Sequence, residues 1–392
     1  MKERTNMKSY NNRWAWFLDE ENIKQAILDA SKGKKKRKDI KKALENIDNT
    51  IQEIKEYVQN FHNDNHTPKV IYDGINRKKR TIIVPSFREQ VVHHLIVDNL
   101  KDVFYQGIYE YTYGSVPARG AHGGKVIMEK WISNDLEHCK YVLKLDIKKY
   151  FEHISHDILK EKLARIIKDK KVLNLLFEVI DATDKGLPLG FYTSQWLAVW
   201  YLKDFDHFVK EQCKATHYMR YMDDLTILGE TKEELKKILK LIERYLTFLG
   251  LELNERSQLF QFCWFEIREN GKIIKHGRDI DFMGFRFFPN KTTLRKSIMY
   301  KAVRKAKKIG KPEKNTVYEL RQMISYMGYI DITNVYNVWN KYIKMNFNFK
   351  KSRKRISNYD KRLAKELQVM YEAQWKRAIM EANGGLYYVP ST

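Results

Sequence analysis

The chain has 392 residues, with 73 Lys and Arg against 49 Asp and Glu, a formal charge of +24. That excess points to a polyanionic partner, nucleic acid first, and is far beyond what solubility needs. No apolar run reaches transmembrane length and no signal pattern opens the chain, which argues against a membrane protein. Cys139, Cys213 and Cys263 lack the paired spacing of a zinc site or a disulfide scaffold and fit a reducing cytoplasm.

Residues 1–65 read as helical and polar, with one helix over 21–30, the basic run Lys34-Lys35-Lys36-Arg37-Lys38, and a second helix over 41–61 carrying Leu44, Ile47, Ile51, Ile54 and Val58. The basic run suits either phosphate contact or a solvated turn. Residues 69–72 and 81–84 read as strands joined through a basic turn, 87–103 as a helix, and 114–124 as a small-residue loop carrying Arg119, His122 and Lys125. A strand over 141–147 leads to a helix over 156–168 capped by Ser155. The turn Gly186-Leu187-Pro188-Leu189-Gly190 precedes a long helix to about 212, with Thr193 or Ser194 as its cap. A helix over 232–249 has a capping box, Thr231 with Glu234, and a closing Gly250. Strand material returns at 261–267 and 281–288. From about 295 the chain is basic and helical, densest at Lys350-Lys351-Ser352-Arg353-Lys354-Arg355.

Chemistry concentrates in Tyr221-Met222-Asp223-Asp224, a string set between the apolar, β-prone runs 217–221 and 225–228. This is the pattern of a tight hairpin with carboxylates at its tip. Asp146 ends another such run, Tyr141 to Leu145. Strands from separate parts of a chain can gather three carboxylates at one end of a sheet, as nucleotidyl transfer by two Mg²⁺ ions requires. An ordinary Asp-containing turn is the competing reading of the string alone.

The order of these elements resembles the reverse transcriptases over nearly the whole chain, most densely from Arg77 to Phe288. The resemblance implies an α+β, right-hand polymerase fold with an antiparallel palm sheet. Its expected parts are an N-terminal helical extension (1–65), fingers (66–140), a palm (141–290) with a finger-like insert (156–185), and a basic helical thumb with tail (291–392). Leu143-Lys144-Leu145-Asp146-Ile147-Lys148-Lys149-Tyr150-Phe151 matches the first palm motif. Asp146 and the Ile147 carbonyl would bind metal, and Phe151 would be the steric gate that selects dNTPs. Tyr221-Met222-Asp223-Asp224 matches the second palm motif, with Asp223 and Asp224 as ligands of Mg²⁺, or of Mn²⁺ as a substitute. Tyr221 and Met222 would lie under the primer end. Lys78, Arg80 and Arg119 resemble the cations that clamp the triphosphate, and His122 and Lys125 resemble template contacts. Phe282-Met283-Gly284-Phe285 resembles the primer grip. Arg256 and Ser257 stand near the place of a proton-donating Lys, a role Arg fills poorly.

Gly186 to Gln195 matches the turn and helix beneath the templating pair, so Leu189, Gly190 and Gln195 join the dNTP-binding set. Retroviral and group II intron enzymes carry Pro-Gln-Gly there; this chain has Pro188-Leu189-Gly190, followed by Phe191-Tyr192-Thr193-Ser194-Gln195. That variant resembles the diversity-generating retroelement type, which copies a template RNA with errors at adenines and works with a small basic accessory protein. A bacterial or phage-encoded cytoplasmic enzyme is implied, with template RNA, cDNA and dNTPs as partners. A phage-defence reverse transcriptase using a noncoding RNA is the alternative. A non-catalytic RNA-binding protein and a viral RNA-dependent RNA polymerase are readings from other classes. The carboxylate set argues against the first of these and Phe151 against the second.

Overall fold

Apolar residues recur at Leu235, Ile238, Ile242 and Leu246, one stripe of the Lys232–Phe248 helix, and all four are buried. The stripe packs on three strands of the sheet that carries the carboxylates. Each such side chain contributes about 1.5–3 kcal/mol on full burial. In this computed structural model, which describes residues 10–35, 37–73, 78–311 and 315–382, the chain is α+β and divides into two compact units, Met1–Met283 and Gly284–Thr392.

In chain order the strands of the first unit are β1 (Pro68–Asp73), β2 (Lys78–Ile83), β3 (Thr112–Tyr113), β4 (Tyr141–Asp146), β5 (His217–Tyr221), β6 (Asp224–Gly229), β7 (Gln258–Gln261), β8 (Trp264–Ile267), β9 (Ile273–His276) and β10 (Ile280–Phe282). The central sheet runs β3-β5-β6-β4-β7. Its pairings are antiparallel except at β3, which joins β5 in parallel through Thr112↔Arg220 and Tyr113↔Tyr221. The antiparallel expectation is corrected at that edge. β1 and β2 form a separate hairpin, as β8 and β9 do.

Around the sheet, the Phe87–Tyr105 helix is buried along most of its length and packs on the Glu20–Ser31 helix. Ser86 and Glu89 close a full capping box at its start. Several sequence expectations are corrected. The helix expected over 41–61 is two, Lys38–Glu45 and Ile47–Gln59, because Asn46 leaves helical geometry and Thr50 turns its hydroxyl onto the Ala43 and Asn46 carbonyls. The stretch 192–212 breaks at Leu202, and Phe191 occupies the cap position of the Tyr192–Tyr201 helix. Thr193 and Ser194 lie buried within that helix. His122 and Lys125 belong to the Ala121–Asn134 helix and not to a loop. In the Thr231 box, Glu234 reaches back to the Glu230 N–H and not to the cap's own. The strand expected over 261–267 is interrupted at Phe262 and Cys263, between β7 and β8.

The second unit opens with β11 (Phe285–Phe288) paired to β12 (Lys291–Leu294), followed by helices Lys296–Ile309, Val317–Ile330 and Phe349–Ala382. Buried Glu319 takes Lys305 and, at 2.7 Å, Lys308 from the first of these helices. Lys350, Lys351, Arg353, Lys354 and Arg355 are all exposed, so the densest basic cluster faces solvent.

His93 packs on Phe191 at 4.5 Å between ring centroids and shares a hydrogen bond with Thr193 at 3.1 Å. Burial pushes its pKa down to about 3 from 6.5. The unfolded chain therefore binds a proton that the folded chain refuses, and stability falls as pH drops below about 6.5. Denaturant unfolding between pH 7.5 and 5 should show this loss approaching about 1.4 kcal/mol per pH unit from this one group. The slope should be shallower in His93→Asn; equal slopes would refute the assignment.

Candidate active site

Three strand ends bring the carboxylates together. In the β4/β6 pairing Asp146 stands directly opposite Asp224, and in the β5/β6 hairpin Tyr221 stands opposite Asp224. Met222 and Asp223 are then the two loop residues. Met222 has φ 56°, a left-handed conformation that costs a non-glycine residue roughly 1–3 kcal/mol. The loop is tied down on both sides. Met222 N–H donates to the Tyr113 carbonyl at 3.2 Å, and Ile147 N–H donates to the Asp223 carbonyl at 3.2 Å.

Asp146 has its own support. Asn254 donates its side-chain amide to Asp146 Oδ2 at 2.9 Å and its backbone N–H to the Asp146 carbonyl at 2.7 Å. This residue was not anticipated as part of the site. Its partner lies 108 positions away, and an Asn in a loop carries no local mark of such a role. Arg220, one residue before the double-Asp string, is also inside the site and was not anticipated. A charge within an apolar strand was the available signal, since a buried charge requires a partner.

Phe151 follows β4 at a strand-to-helix corner, half-buried. Leu187 N–H donates to the Phe151 carbonyl at 2.7 Å, and Gly186, at φ 73°, lies so close that a Cβ there would be 2.4 Å from the same oxygen. The far end of this turn holds β2: Ile83 N–H donates to the Leu189 carbonyl at 2.7 Å. Gly190 has φ 118°, and a Cβ on it would meet the Ile83 carbonyl oxygen at 2.1 Å. The turn thus links the corner after Asp146 to the strand that carries Arg80. Beside it lies a cleft of about 350 Å³ whose lining includes Lys34, Arg37, Ile83, His94, Tyr192 and Gln195. A larger cleft of about 780 Å³ among the N-terminal helices, lined by Asn46, Thr50, Tyr57 and Arg88, contains none of the three carboxylates.

The remaining expected residues divide. Arg80 sits on β2 opposite Ile71. The side chain of Lys78, and the whole of Arg77, lie outside the described residues. Arg119 donates to the Tyr109 carbonyl at 2.9 Å, which fixes its loop. Gln195 is exposed and accepts from Ser115 at 3.5 Å. Lys125 is buried and paired with Glu129 at 2.7 Å, a setting that withdraws it from template contact. In the basic run, Lys34 is bonded to Gln90 and Arg37 to Asp39 at 2.6 Å. Met283 is buried against Gly124. Met283 at φ 51° and Gly284 at φ 88° are the two successive left-handed residues of a type I′ hairpin turn. Arg256 is exposed and Ser257 half-buried.

The family model "Reverse transcriptase (RNA-dependent DNA polymerase)" matches residues 67–287, more than half of the chain. The chain belongs to the reverse transcriptase family. The α+β architecture described above is therefore the family's right-hand polymerase fold. Among curated relatives, the Retron Ec73 reverse transcriptase of Escherichia coli is 24% identical over 47% of this chain and 60% of its own length. The Group II intron-encoded protein LtrA of Lactococcus lactis subsp. cremoris is 24% identical over 40% of this chain and 28% of its own. The chain thus spans less than two thirds of the length of either relative. A telomerase structure from Candida tropicalis, in complex with a fragment of telomeric RNA, covers 68% of this chain and 53% of its own at 12% identity. Its TM-score of 0.44 adds nothing to the assignment. Among the described residues no helix is long and apolar enough to cross a membrane.

In this reverse transcriptase the donor set is three carboxylates and backbone carbonyls, hard oxygens of the kind Mg²⁺ takes. Among the described residues no three His, Cys, Asp or Glu side chains are already gathered as a metal cage. Asp146 and Asp224 nonetheless face each other across adjacent strands, so the set fits a divalent cation in the kind of donor it offers.

Gly190→Ala tests the link between the turn and β2. With both a left-handed φ and a clash on the Ile83 carbonyl, the variant should lose at least about 1–3 kcal/mol in denaturant unfolding. An unchanged midpoint would show that the turn does not bear on β2.

Proposed function

We propose that the protein is an RNA-directed DNA polymerase that extends a primer with dNTPs on an RNA template. The observation that carries this reading is the register that sets Asp146 opposite Asp224, one residue from Asp223, within a reverse transcriptase family chain. Asp146, Asp223 and Asp224, with the Ile147 carbonyl, are the residues that would hold Mg²⁺, or Mn²⁺ in its place. When bound, the ions supply charge neutralisation for the attacking and leaving oxygens of an in-line displacement. The chain's own residues hold the geometry: Asn254 orients Asp146, and the Tyr113 and Ile147 backbones fix the Met222-Asp223 loop. Arg80 and Arg119, with Lys78, are assigned to the triphosphate, Phe151 to the sugar edge, and Leu189, Gly190 and Gln195 to the nascent pair. Tyr221, Met222, Met283 and Gly284 are assigned to the primer end.

The finer reading is the diversity-generating type, and Leu189 supports it. Its side chain offers no hydrogen bond where a Gln would, and its carbonyl is already engaged by Ile83. That removes a polar restraint near the templating pair and suits low fidelity at adenines. A small basic accessory protein belongs to the same reading. The phage-defence reading shares the site and differs in template.

The decisive test is Mg²⁺-dependent dNTP incorporation with RNA co-purified from the host, followed by sequencing. Asp223→Asn should lower incorporation by at least about a thousandfold. Wild-type cDNA should map to a repeat with errors clustered at adenines. Faithful cDNA from a noncoding RNA would move the assignment to defence. Incorporation unaffected by Asp223→Asn would remove Asp223 from the catalytic set, and no DNA from the wild type would leave a missing partner or an RNA-binding protein.

The gate is tested separately. Phe151→Ala should relax discrimination between dNTPs and rNTPs by about 10–200-fold in kcat/KM, the range expected for opening an apolar contact of this size. Unaltered rejection of rNTPs would remove Phe151 from that role.

A further inference from the structure

Arg220 is the largest fully buried side chain in the described protein, with no exposed surface at all. Its guanidinium donates to Asp206 twice, Nε to Oδ1 at 2.7 Å and Nη2 to Oδ2 at 2.6 Å. Nη2 also donates to the Val199 carbonyl at 3.1 Å. Asp206, equally buried, accepts two more bonds, from Tyr218 at 2.6 Å and from Thr112 at 3.0 Å. Every lone-pair direction of the carboxylate is thereby occupied, the condition under which a desolvated ion pair holds one geometry.

The Nη1 group remains for another purpose. Arg220 Nη1 donates to the Met222 carbonyl at 3.0 Å. That oxygen belongs to the peptide joining Met222 to Asp223. Met222 is the left-handed residue of the catalytic loop, so the orientation of this peptide is strained and would relax if released. The peptide plane also sets the direction in which the Asp223 side chain leaves the backbone.

We infer that Arg220, seated on Asp206, is a positioning residue for Asp223: it clamps the Met222–Asp223 peptide in its strained orientation and so fixes the carboxylate for metal. The inference deepens the polymerase reading and rests on it for its kinetic consequence. Lys at position 220 would carry the charge but cannot bridge Asp206 bidentately and reach Met222 as well, since its ammonium is one point and not a planar fork. The clamp also ties the loop to the Tyr192–Tyr201 helix through Val199, so the helix beside the Leu189–Gly190 turn and the loop bearing Asp223 share one buried anchor.

The experiment uses the full chain and two variants, Arg220→Lys and the paired apolar replacement Arg220→Met with Asp206→Leu. The first readout is amide hydrogen exchange of the segments containing Ile147 and Asp224. Both variants should lose protection there while the Phe87–Tyr105 helix keeps its own. The second readout is Mn²⁺ affinity and incorporation kinetics. Mn²⁺ binding and kcat should fall by about 10–100-fold, as for residues that orient a metal ligand, with KM for dNTP within about twofold. Unchanged exchange at Ile147 in a folded Arg220→Lys variant overturns the inference. So does a paired variant with wild-type kcat, because the pair would then serve only packing. Should the paired variant fail to fold, Arg220→Lys alone decides. A wild type that incorporates no dNTP would sink the polymerase reading, and the exchange and Mn²⁺ measurements would still judge the clamp.

Discussion

The register of β4 against β6 is the constraint on which the site rests. Side chains alternate across a sheet with a period of two, so a slip of one residue would turn Asp146 to the opposite face and leave Asp224 without its neighbour. The apolar members Val142, Leu143, Leu145, Leu225, Ile227 and Leu228 are all buried, on both faces of the sheet, and a slip would press each side chain into a place packed for another. The core therefore enforces the alignment of the carboxylates. The three carboxylates inherit their placement from hydrophobic burial and do not provide it.

From that sheet end, backbone hydrogen bonds carry the arrangement outward. Phe151 is held by Leu187, the turn is held to β2 by Leu189 and Ile83, and β2 carries Arg80. Two glycines permit contacts too close for any side chain. The groups assigned to sugar, base pair and triphosphate thus share one framework of main-chain bonds. Such bonds are insensitive to side-chain identity at most positions along it.

Charge is partitioned in the same economical way. The chain carries +24 overall, and its densest basic cluster is exposed on the second unit. Inside the first unit charge appears as a satisfied pair. Arg220 and Asp206 lie without exposure beneath the Met222–Asp223 loop, and the desolvation they suffer is offset by a complete set of hydrogen bonds. The carboxylates at the sheet end are partly exposed.

The sequence by itself determined the elements whose signals are local. Short apolar, β-prone runs around Asp146 and Asp223, the apolar stripe of 235–246, Ser155 as a cap and Gly250 as a stop were all legible from neighbours a few positions apart. The gathering of Asp146, Asp223 and Asp224 at one sheet end was legible too, because the two motifs that carry them are short and their order along the chain is distinctive. Tertiary structure alone decided what depends on distant partners. Asn46 and Leu202 break helices that periodicity would continue, and Thr193, inside its helix and not at its cap, shares a hydrogen bond with His93 a hundred residues away. Lys125 is withdrawn from the surface by Glu129 and the burial of its helix. Asn254 and Arg220 acquire their roles only when folding brings Asp146 and Asp206 to them. Hydrogen bonds and ion pairs between remote residues have no period to read. A chain displays its periodic burial in sequence, and its long-range polar contacts only once it is folded.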